Sequence, residues 1–261
     1  DNNSAGTGNG GACLFDEISG EVFSQSIARC RFSGNSAADG GAIWTACSFT
    51  MTNCLCDFNE ATGDGGALYL DNYVELYNCT ITNNDAVSGG GVYYQTPLLP
   101  CVNCIVWGNG ASNFYPSTPT SSSPNIFTED PKVRDAANGN YQLLANSPGV
   151  DSGYFVGGGI TPDLDMDGNP RYDVTYVANS GSGAIDYSDI GAFVLQEFLD
   201  ARVADAGPDQ WVLPGALVQL DGSNSYDPDN GPADLTFFWL GVPPEQTQLP
   251  MPEFNAPVTP G

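Results

Sequence analysis

The stretch "RCRFSGNSAADGGAIW" at residues 29–44 contains two features that recur along the first part of the chain. A cysteine is followed five residues later by an asparagine, and a glycine pair then precedes alanine and a hydrophobic residue. The cysteine and the asparagine return in "CLCDFN" at 54–59, "CTITNN" at 79–84 and "CIVWGN" at 104–109, at intervals of 24, 25 and 25 residues. A period of this length predicts a repeat architecture.

The four copies share one register. Apolar residues stand three positions before each cysteine and two positions after it, and the copies consist of strand-length segments with glycine turns and no helical stretch. This pattern predicts an all-β fold in which each coil lies over the previous one at the strand spacing of roughly 4.8 Å. Equivalent side chains would then form ladders, which we expect at Cys30, Cys54, Cys79 and Cys104 and at Asn35, Asn59, Asn84 and Asn109.

The residue types suit these positions. Cysteine is small and easily buried, so it can fill the inside of a tight corner in every coil. Asparagine tolerates left-handed backbone angles, and its amide can bond to the amide in the adjacent coil. The glycine pairs at 40–41, 65–66 and 89–90, with an earlier offset copy at 10–11, fit places where backbones approach closely or need a positive φ.

The eight cysteines allow three interpretations. They are free thiols packed as small hydrophobic groups, disulfides within or between coils, or metal ligands. Cys54/Cys56 and Cys101/Cys104 are close enough in sequence to share a metal, but inward-facing strand residues in a chain without histidine make poor zinc sites. The sequence does not select a disulfide pattern, because eight cysteines allow 105 pairings.

Composition limits the possible partners. The chain has 31 acidic residues, 6 basic residues, no histidine and a net charge of −25. Such a charge repels nucleic acid and anionic lipid and attracts cations. No apolar run of about 18 residues is present, so we expect no membrane insertion by this segment.

The two landmarks, C-x-[FIV]-x-x-N and GGA, resemble the repeats of polymorphic outer-membrane proteins and related β-helices of bacterial surfaces. The resemblance covers residues 10–110. It departs at Cys56, where an aromatic or aliphatic residue is usual, and at Gly91, where alanine is usual. It implies a right-handed single-stranded parallel β-helix of the pectin-lyase-like type, located outside the cell or on its surface.

The chain after the repeats is less regular. Residues 111–130 are rich in proline, serine and threonine, and we predict a loop excursion there. "NYQLLANSPGVDSG" at 140–153, "TPDLDMDGNPR" at 161–171 and "DIGAF" at 189–193 resemble the end of bacterial β-helix proteins with a choice-of-anchor Q domain. Since the last coil of a solenoid must be covered, we interpret 140–200 as that coil and its cap. The predicted domains are a β-helix at 1–150, its cap at 151–200 and a third domain at 201–261.

A calcium loop is one interpretation of "DLDMDG" at 163–168. The pattern D-x-D-x-D-G opens an EF-hand loop, in which alternate carboxylates converge on Ca²⁺ and glycine permits the sharp turn. Position 12 of that loop is Val174 instead of glutamate, so further carboxylates must come from Asp173 or Asp186. The alternative is an acidic turn in which Arg171 pairs with a nearby aspartate. The residues predicted to bind Ca²⁺ are Asp163, Asp165, Asp167 and Asp173.

The segment at 204–240 resembles the start of a polycystic-kidney-disease-type (PKD) domain, an Ig-like β-sandwich. Alternation in "ALVQL" and "LTFFW" predicts two strands with one buried face, and Trp239 is the expected core aromatic. The last two strands of that family would follow residue 261, so we predict a partial domain at 201–261. The ends of the chain are expected either to be cut from a larger surface protein or to receive strands from a neighbouring subunit.

These features favour a non-catalytic structural or adhesive surface protein. It would be a rigid acidic rod that binds surface glycans or assembles with itself head to tail into a fibre or matrix by strand complementation. We predict that it is not an enzyme. The alternative is a β-helix that cleaves polysaccharide with Asp-bound Ca²⁺ or paired carboxylates, against which the missing histidine and the six basic residues argue.

Two sets of residues belong to the alternatives. The acidic set could form a catalytic pair on the outer face, and solvated turns are the other explanation: Asp57, Glu60, Asp64 and Asp85. The aromatic set could stack on sugars in a carbohydrate-binding protein, and core or ladder packing is the other explanation: Tyr69, Tyr73, Tyr77, Tyr93 and Tyr94.

Overall fold

The computed structural model divides into two units, Asp1–Gln196 and Glu197–Gly261. The first unit contains all four repeats. The residues that the structure describes are 1–16, 25–96, 99–119, 124–155, 164–171, 173–174, 177–195, 204–225, 239–240, 243 and 248–256.

The first unit is a parallel β-solenoid of about 6 turns with almost no helix. Three parallel sheets run along it, and each takes one short strand from successive coils. Sheet A contains β1 (Cys13–Phe15), β5 (Ile43–Thr45), β9 (Leu68–Leu70), β12 (Val92–Tyr94) and β15 (Phe114–Tyr115). Sheet B contains β2 (Gln25–Ala28), β6 (Phe49–Thr52), β10 (Val74–Tyr77) and β13 (Cys101–Val102). Sheet C contains β3 (Arg31–Ser33), β7 (Leu55–Asp57), β11 (Thr80–Thr82) and β14 (Ile105–Trp107). A fourth sheet pairs β4 (Ser36–Ala37) with β8 (Glu60–Ala61).

The coils stack in the predicted register. In sheet C, Phe32 lies opposite Cys56, Cys56 opposite Ile81, and Ile81 opposite Val106. The residues three positions before the cysteines are matched in the same way in sheet B. Both sets point inward and form one core with the inward residues of sheet A. The parallel solenoid is therefore confirmed.

Left-handed residues produce the corners around sheet C, but they are not the ladder asparagines. Positive φ angles occur just before each cysteine and just before each ladder asparagine, so the chain bends sharply at both ends of every strand. The ladder asparagines therefore do not use the left-handed angles that asparagine tolerates. The left-handed residues are Arg29, Asn53, Asn78 and Asn103 before the cysteines, and Gly34, Phe58, Asn83 and Gly108 before the asparagines.

The two glycines of each pair have different roles. Gly40, Gly65 and Gly89 have φ angles between 60° and 71°, which residues with a Cβ rarely adopt. The second glycine lies against the adjacent coil. A Cβ atom on Gly66 would meet the carbonyl oxygens of Gly90 and Asp85. The second glycine therefore sets how closely two coils can approach.

We predict that Gly66→Ala lowers the free energy of unfolding by about 3 kcal/mol, because a rigid backbone carbonyl stands where the new Cβ would lie. The matched control is Gly6→Ala, which has a φ of 62° and no atom within 4 Å of the new Cβ. That change should cost only the left-handed conformation, about 1 kcal/mol. Urea unfolding of both variants measures the difference, and equal effects would contradict close approach as the cause.

Residues 111–130 are not a simple loop excursion, so that prediction was wrong. β15 pairs with β12, placing Phe114 opposite Val92, and Ile126 forms a bridge to Ile105. The described parts of this segment, 111–119 and 124–130, thus continue the solenoid less regularly. Phe114 and Ile126 keep apolar residues at stacking positions, although the cysteine with an asparagine five residues later and the glycine pair are absent.

The described residues between 133 and 195, called the cover below, pack on the outer face of sheet C. Leu55 packs with Tyr141, Ala192 and Phe193, and Ile105 packs in a second cluster with other apolar residues of the cover. The prediction of a last coil and cap over the solenoid end differs from these contacts, which extend back to the coil of Leu55. The reason is that outward apolar side chains of sheet C themselves need burial. The cover contains β16 (Val133–Asp135), a 3-10 turn (Ala136–Asn138), β17 (Asn140–Leu143), β18 (Tyr154–Phe155) and β19 (Ser182–Gly183).

The described residues of the second unit contain an antiparallel pair of strands, β20 (Leu217–Gln219) and β21 (Glu253–Asn255). Val218 is buried while Leu217 is exposed, which fits the alternation predicted for the first strand. The second predicted strand, "LTFFW" at 235–239, lies outside the described residues except for Trp239. Trp239 is half-buried, and its indole N–H donates to the carbonyl of Leu249 over 2.8 Å.

Candidate functional site

The four ladder asparagines form one column of hydrogen bonds inside the solenoid. Each Oδ1 accepts both from the side-chain amide and from the backbone N–H of the asparagine in the preceding coil. Asn35, Asn59 and Asn84 are each 1% exposed. The Nδ2–Oδ1 distances are 2.9 Å from Asn3 to Asn35, 2.8 Å from Asn35 to Asn59, 2.8 Å from Asn59 to Asn84, 2.9 Å from Asn84 to Asn109 and 3.0 Å from Asn109 to Asn113.

The column also ties each coil to the strands of sheet C. The second Nδ2 proton of Asn59 is directed to the carbonyl of Phe32, and that of Asn84 to the carbonyl of Cys56. A buried amide with unmet hydrogen bonds would be costly, and here nearly every donor and acceptor is used. The column therefore makes adjacent coils depend on one another.

Sequence reasoning missed both ends of the column. Asn3 occupies the position before Asn35, ahead of the four recurring copies, and Asn113 follows Asn109 by only four residues. The first lies outside the recurring motif, and the second takes the place of an asparagine in the next coil. A search for asparagine alone at the start of the repeats would have found Asn3.

Asn59→Ala should lower the free energy of unfolding by about 1–3 kcal/mol, because it removes the Oδ1 that accepts from the backbone N–H and the side-chain amide of Asn35, and it removes the side-chain donor to the Phe32 carbonyl. Chemical unfolding followed by circular dichroism measures the loss. The control is Asn138→Ala on the exposed 3-10 turn, which should change stability by less than about 0.5 kcal/mol. Equal stability of the two variants would contradict the column.

The cysteines stack beside the asparagines. The backbone carbonyls of Cys30, Cys54 and Cys79 accept hydrogen bonds from the next coil at 2.9–3.0 Å, so the corners lie over one another. All eight cysteines are free thiols in the structure. Cys79 donates to backbone carbonyls at 3.4 and 3.5 Å, and burial raises its pKa well above the usual value. Cys54, Cys56, Cys79, Cys101 and Cys104 are packed as buried thiols, whereas Cys13, Cys30 and Cys47 are partly exposed. The raised pKa makes Cys79 a weak nucleophile.

A second row of asparagines, just before the cysteines, attaches the cover to the solenoid. The Asn53 amide donates to the Leu164 carbonyl, and the Asn103 amide donates to the Tyr154 carbonyl over 2.8 Å. Asn78, Asn53 and Asn103 are completely buried. The recurrence of asparagine at this position is visible in the sequence, but its meaning depends on residues more than 50 positions away.

Arg171 also connects the cover to the solenoid. Its guanidinium donates to the Oδ1 of Asn53 and to the carbonyls of Asp189 and Gly191 at 3.0–3.1 Å. Burial lowers its pKa to about 10. Among the described residues its hydrogen bonds go to amide oxygens, which differs from the aspartate pairing considered from the sequence. Arg171 therefore positions the cover.

The acidic set does not form one cluster. Asp57 is fully buried beneath the cover, where Arg31 binds it through Nη2 at 2.7 Å and Nε at 3.3 Å. Glu60 and Asp85 stack in adjacent coils with exposed side chains. Asp64 donates its backbone N–H to Asp39. Asp57 is thus structural, Glu60 begins β8, and Asp64 and Asp85 form single bridges between coils.

Tyr141 of the cover completes the surroundings of Asp57. Its hydroxyl oxygen accepts a hydrogen bond from the Asn83 amide over 3.1 Å. Burial raises the pKa of Tyr141 to about 12, and the Asp57 carboxylate contributes to that increase. The hydroxyl therefore stays protonated in ordinary buffers and serves as a neutral partner.

Arg31→Ala should destabilise the protein by about 3 kcal/mol, because the Asp57 carboxylate would remain buried without its cation. The chain offers a matched control, since the Lys132–Asp130 pair is exposed and 3.7 Å long. Lys132→Ala should cost less than about 1 kcal/mol. Thermal unfolding of the two variants gives the comparison, and a small effect of Arg31→Ala would show that Asp57 finds another partner.

An aromatic stripe on the outer face of sheet A consists of Trp44, Tyr69, Tyr93 and Tyr115. Neighbouring rings lie 6.0, 4.7 and 5.1 Å apart at interplanar angles of 10–18°. Their faces are therefore in contact with one another, and a sugar would meet mainly ring edges. Sequence reasoning found Tyr69 and Tyr93 but missed both ends of the stripe.

The other predicted aromatic residues are elsewhere. Tyr94 points into the core, and its hydroxyl donates to the Ser117 carbonyl over 2.8 Å. Tyr77 belongs to sheet B, and Tyr73 directly precedes that strand. Tyr73 donates its hydroxyl to Glu75 over 3.1 Å. The five tyrosines thus do not form one sugar-stacking surface.

The predicted calcium loop is described only in part, because Asp163 lies outside the described residues. Asp165 is fully buried, and its carboxylate accepts hydrogen bonds from Asn169 and from the Val194 N–H. Burial raises the pKa of Asp167, and Asp173 is exposed. Asp165 acts as the acceptor that closes a turn, and calcium binding by this loop remains a prediction.

Comparison with known proteins gives one short match. Residues 29–46 match the model of the Chlamydia polymorphic membrane protein (Chlamydia_PMP) repeat. The matched stretch contains Cys30, Asn35 and the glycine pair at 40–41, so it covers both landmarks of one repeat. Neither the curated proteins nor the solved structures gave a match.

The match and the fold together support a β-helix surface protein of the bacterial type. The repeat suggests an outer-membrane or surface location, which is consistent with the expectation from the sequence. Within the described ranges, no helix has the length and apolar character needed to cross a membrane.

Proposed function

We propose that this chain is a non-catalytic structural or adhesive protein of the bacterial surface, in which the solenoid is a rigid acidic spacer. The observation that carries the proposal is the asparagine column, which links six consecutive asparagines from Asn3 to Asn113 by hydrogen bonds. A continuous bonded interior resists bending between coils. The match to a surface-protein repeat supports the same role.

The outer surface also argues against catalysis. The carboxylates that the sequence offered as a catalytic pair are divided between a buried ion pair at Asp57 and exposed side chains at Glu60 and Asp85. A hydrolase of this type needs two carboxylates facing each other across a substrate. The net charge of −25 would also repel acidic polysaccharides.

Further parts of the proposal rest on resemblance. We propose that the solenoid is the right-handed, pectin-lyase-like type and that the cover corresponds to a choice-of-anchor Q region. The second unit is proposed to belong to a PKD-type domain, for which the alternation around Val218 is the supporting observation. Self-assembly by strand complementation, or contact with surface glycans, is the proposed mode of adhesion.

A polysaccharide panel tests the proposal. Purified protein incubated with acidic and neutral polysaccharides should release no new reducing ends and no unsaturated products. Electron microscopy of concentrated protein should show end-to-end particles, or a glycan array should show binding without cleavage. Product release that disappears in Glu60→Gln or Asp85→Asn, while Asp130→Asn retains it, would contradict a non-catalytic role.

A further inference from the structure

Asp151 is a buried carboxylate without a counterpart. The residue is completely buried, and neither carboxylate oxygen has a hydrogen-bond partner in the structure. The hydroxyl of Ser188, also completely buried, is likewise without a partner. Unpaired buried oxygens are costly, and a carboxylate costs most. The local structure therefore points to a missing positive group.

The backbone holds these groups together. The Asp151 N–H donates to Oδ1 of Asp189 over 2.8 Å, and the Asp151 carbonyl accepts from the N–H groups of Ser180 and Gly181. Gly153, two residues later, donates its N–H to the Ser188 carbonyl. Asp151 also has a left-handed φ of 48°. Hydrogen bonds of its backbone N–H and carbonyl fix Asp151 in place, so its side chain stays inside the cover.

The surroundings of Asp151 are acidic. The carboxylates of Asp189, Asp173 and Asp186 all raise its pKa, although desolvation is the largest cause, and the result is about 7. The Val174 N–H lowers that pKa but does not reach hydrogen-bond geometry. The guanidinium of Arg171 is engaged by Asn53 and two carbonyls. Arg171 therefore does not donate a hydrogen bond to the Asp151 carboxylate.

We propose that Asp151 is the central ligand of a Ca²⁺ site in the cover, distinct from the loop at 163–168. The Ser188 hydroxyl supplies a second oxygen, and Asp173 or Asp186 supplies another carboxylate. Only oxygen donors are present there, which suits a hard cation, and calcium accepts irregular shells completed by carbonyls and water.

The site would close on binding. Among the described residues, no three acidic side chains already stand together in metal-binding positions. Asp173 and Asp186 are exposed, and Asp186 Oδ1 accepts a hydrogen bond from the Asn179 amide over 3.3 Å. Both side chains would turn inward on binding, while Asp151 is already buried. Calcium would therefore join segments around 151, 173 and 186–188 of the cover.

Isothermal titration calorimetry and thermal unfolding of the full chain test the site. After chelator treatment and dialysis, CaCl₂ should produce a binding isotherm and raise the melting temperature by several degrees. Asp151→Asn should weaken calcium binding by at least about tenfold. Asp151→Asn should fold, because asparagine keeps the side-chain shape and the change removes one of four neighbouring negative charges. In the presence of chelator, its melting temperature should be no lower than that of the wild type.

Two controls make the result decisive. Asp167→Asn, in the loop predicted from the sequence, should bind calcium as the wild type does, and Ser188→Ala should bind more weakly. The proposal is overturned if the wild type shows no calcium isotherm or if Asp151→Asn binds equally well. It is also overturned if Asp167→Asn alone loses binding, or if MgCl₂ at the same concentration reproduces the whole effect.

Discussion

The hydrogen bond between asparagine side chains in adjacent coils is the interaction on which the solenoid depends. A primary amide has two donors and an acceptor that can take two bonds. Stacking one amide over the next at the strand spacing satisfies most of these groups without water. This works only if every coil returns the chain to the same place. The column thus converts a spacing in the sequence into a fixed register in space.

The register has consequences for both surfaces of the coils. On the inside it places apolar residues and thiols over one another in a continuous core. On the outside it stacks Leu55, Thr80 and Ile105 in one row of sheet C, and this row is too apolar to face water. The cover buries it, and Arg171 and the second asparagine row join the two layers. The stacking of the coils therefore creates the apolar row that the cover buries.

The repeat was predictable because it is local and periodic. The residue two positions after each cysteine, such as Cys56 or Ile81, needs only its own coil to define its direction. The cover was not predictable, because its contacts join residues that are far apart in the sequence. Tyr141 lies 84 residues from Asp57, and Arg171 lies 118 residues from Asn53. No periodic pattern records such pairs. The burial of Asp57 could not be predicted for the same reason, since it depends on that distant segment. The available signal was Leu55, an apolar residue on the outward face of β7 next to the inward Cys56.

Hydrogen exchange of the asparagine side-chain amides, followed by NMR in D₂O, tests the column most directly. The Nδ2 protons of Asn35, Asn59 and Asn84 should exchange only as the whole solenoid unfolds, while those of exposed Asn138 exchange at once. Exchange of the three column amides at the rate of Asn138 would contradict the account.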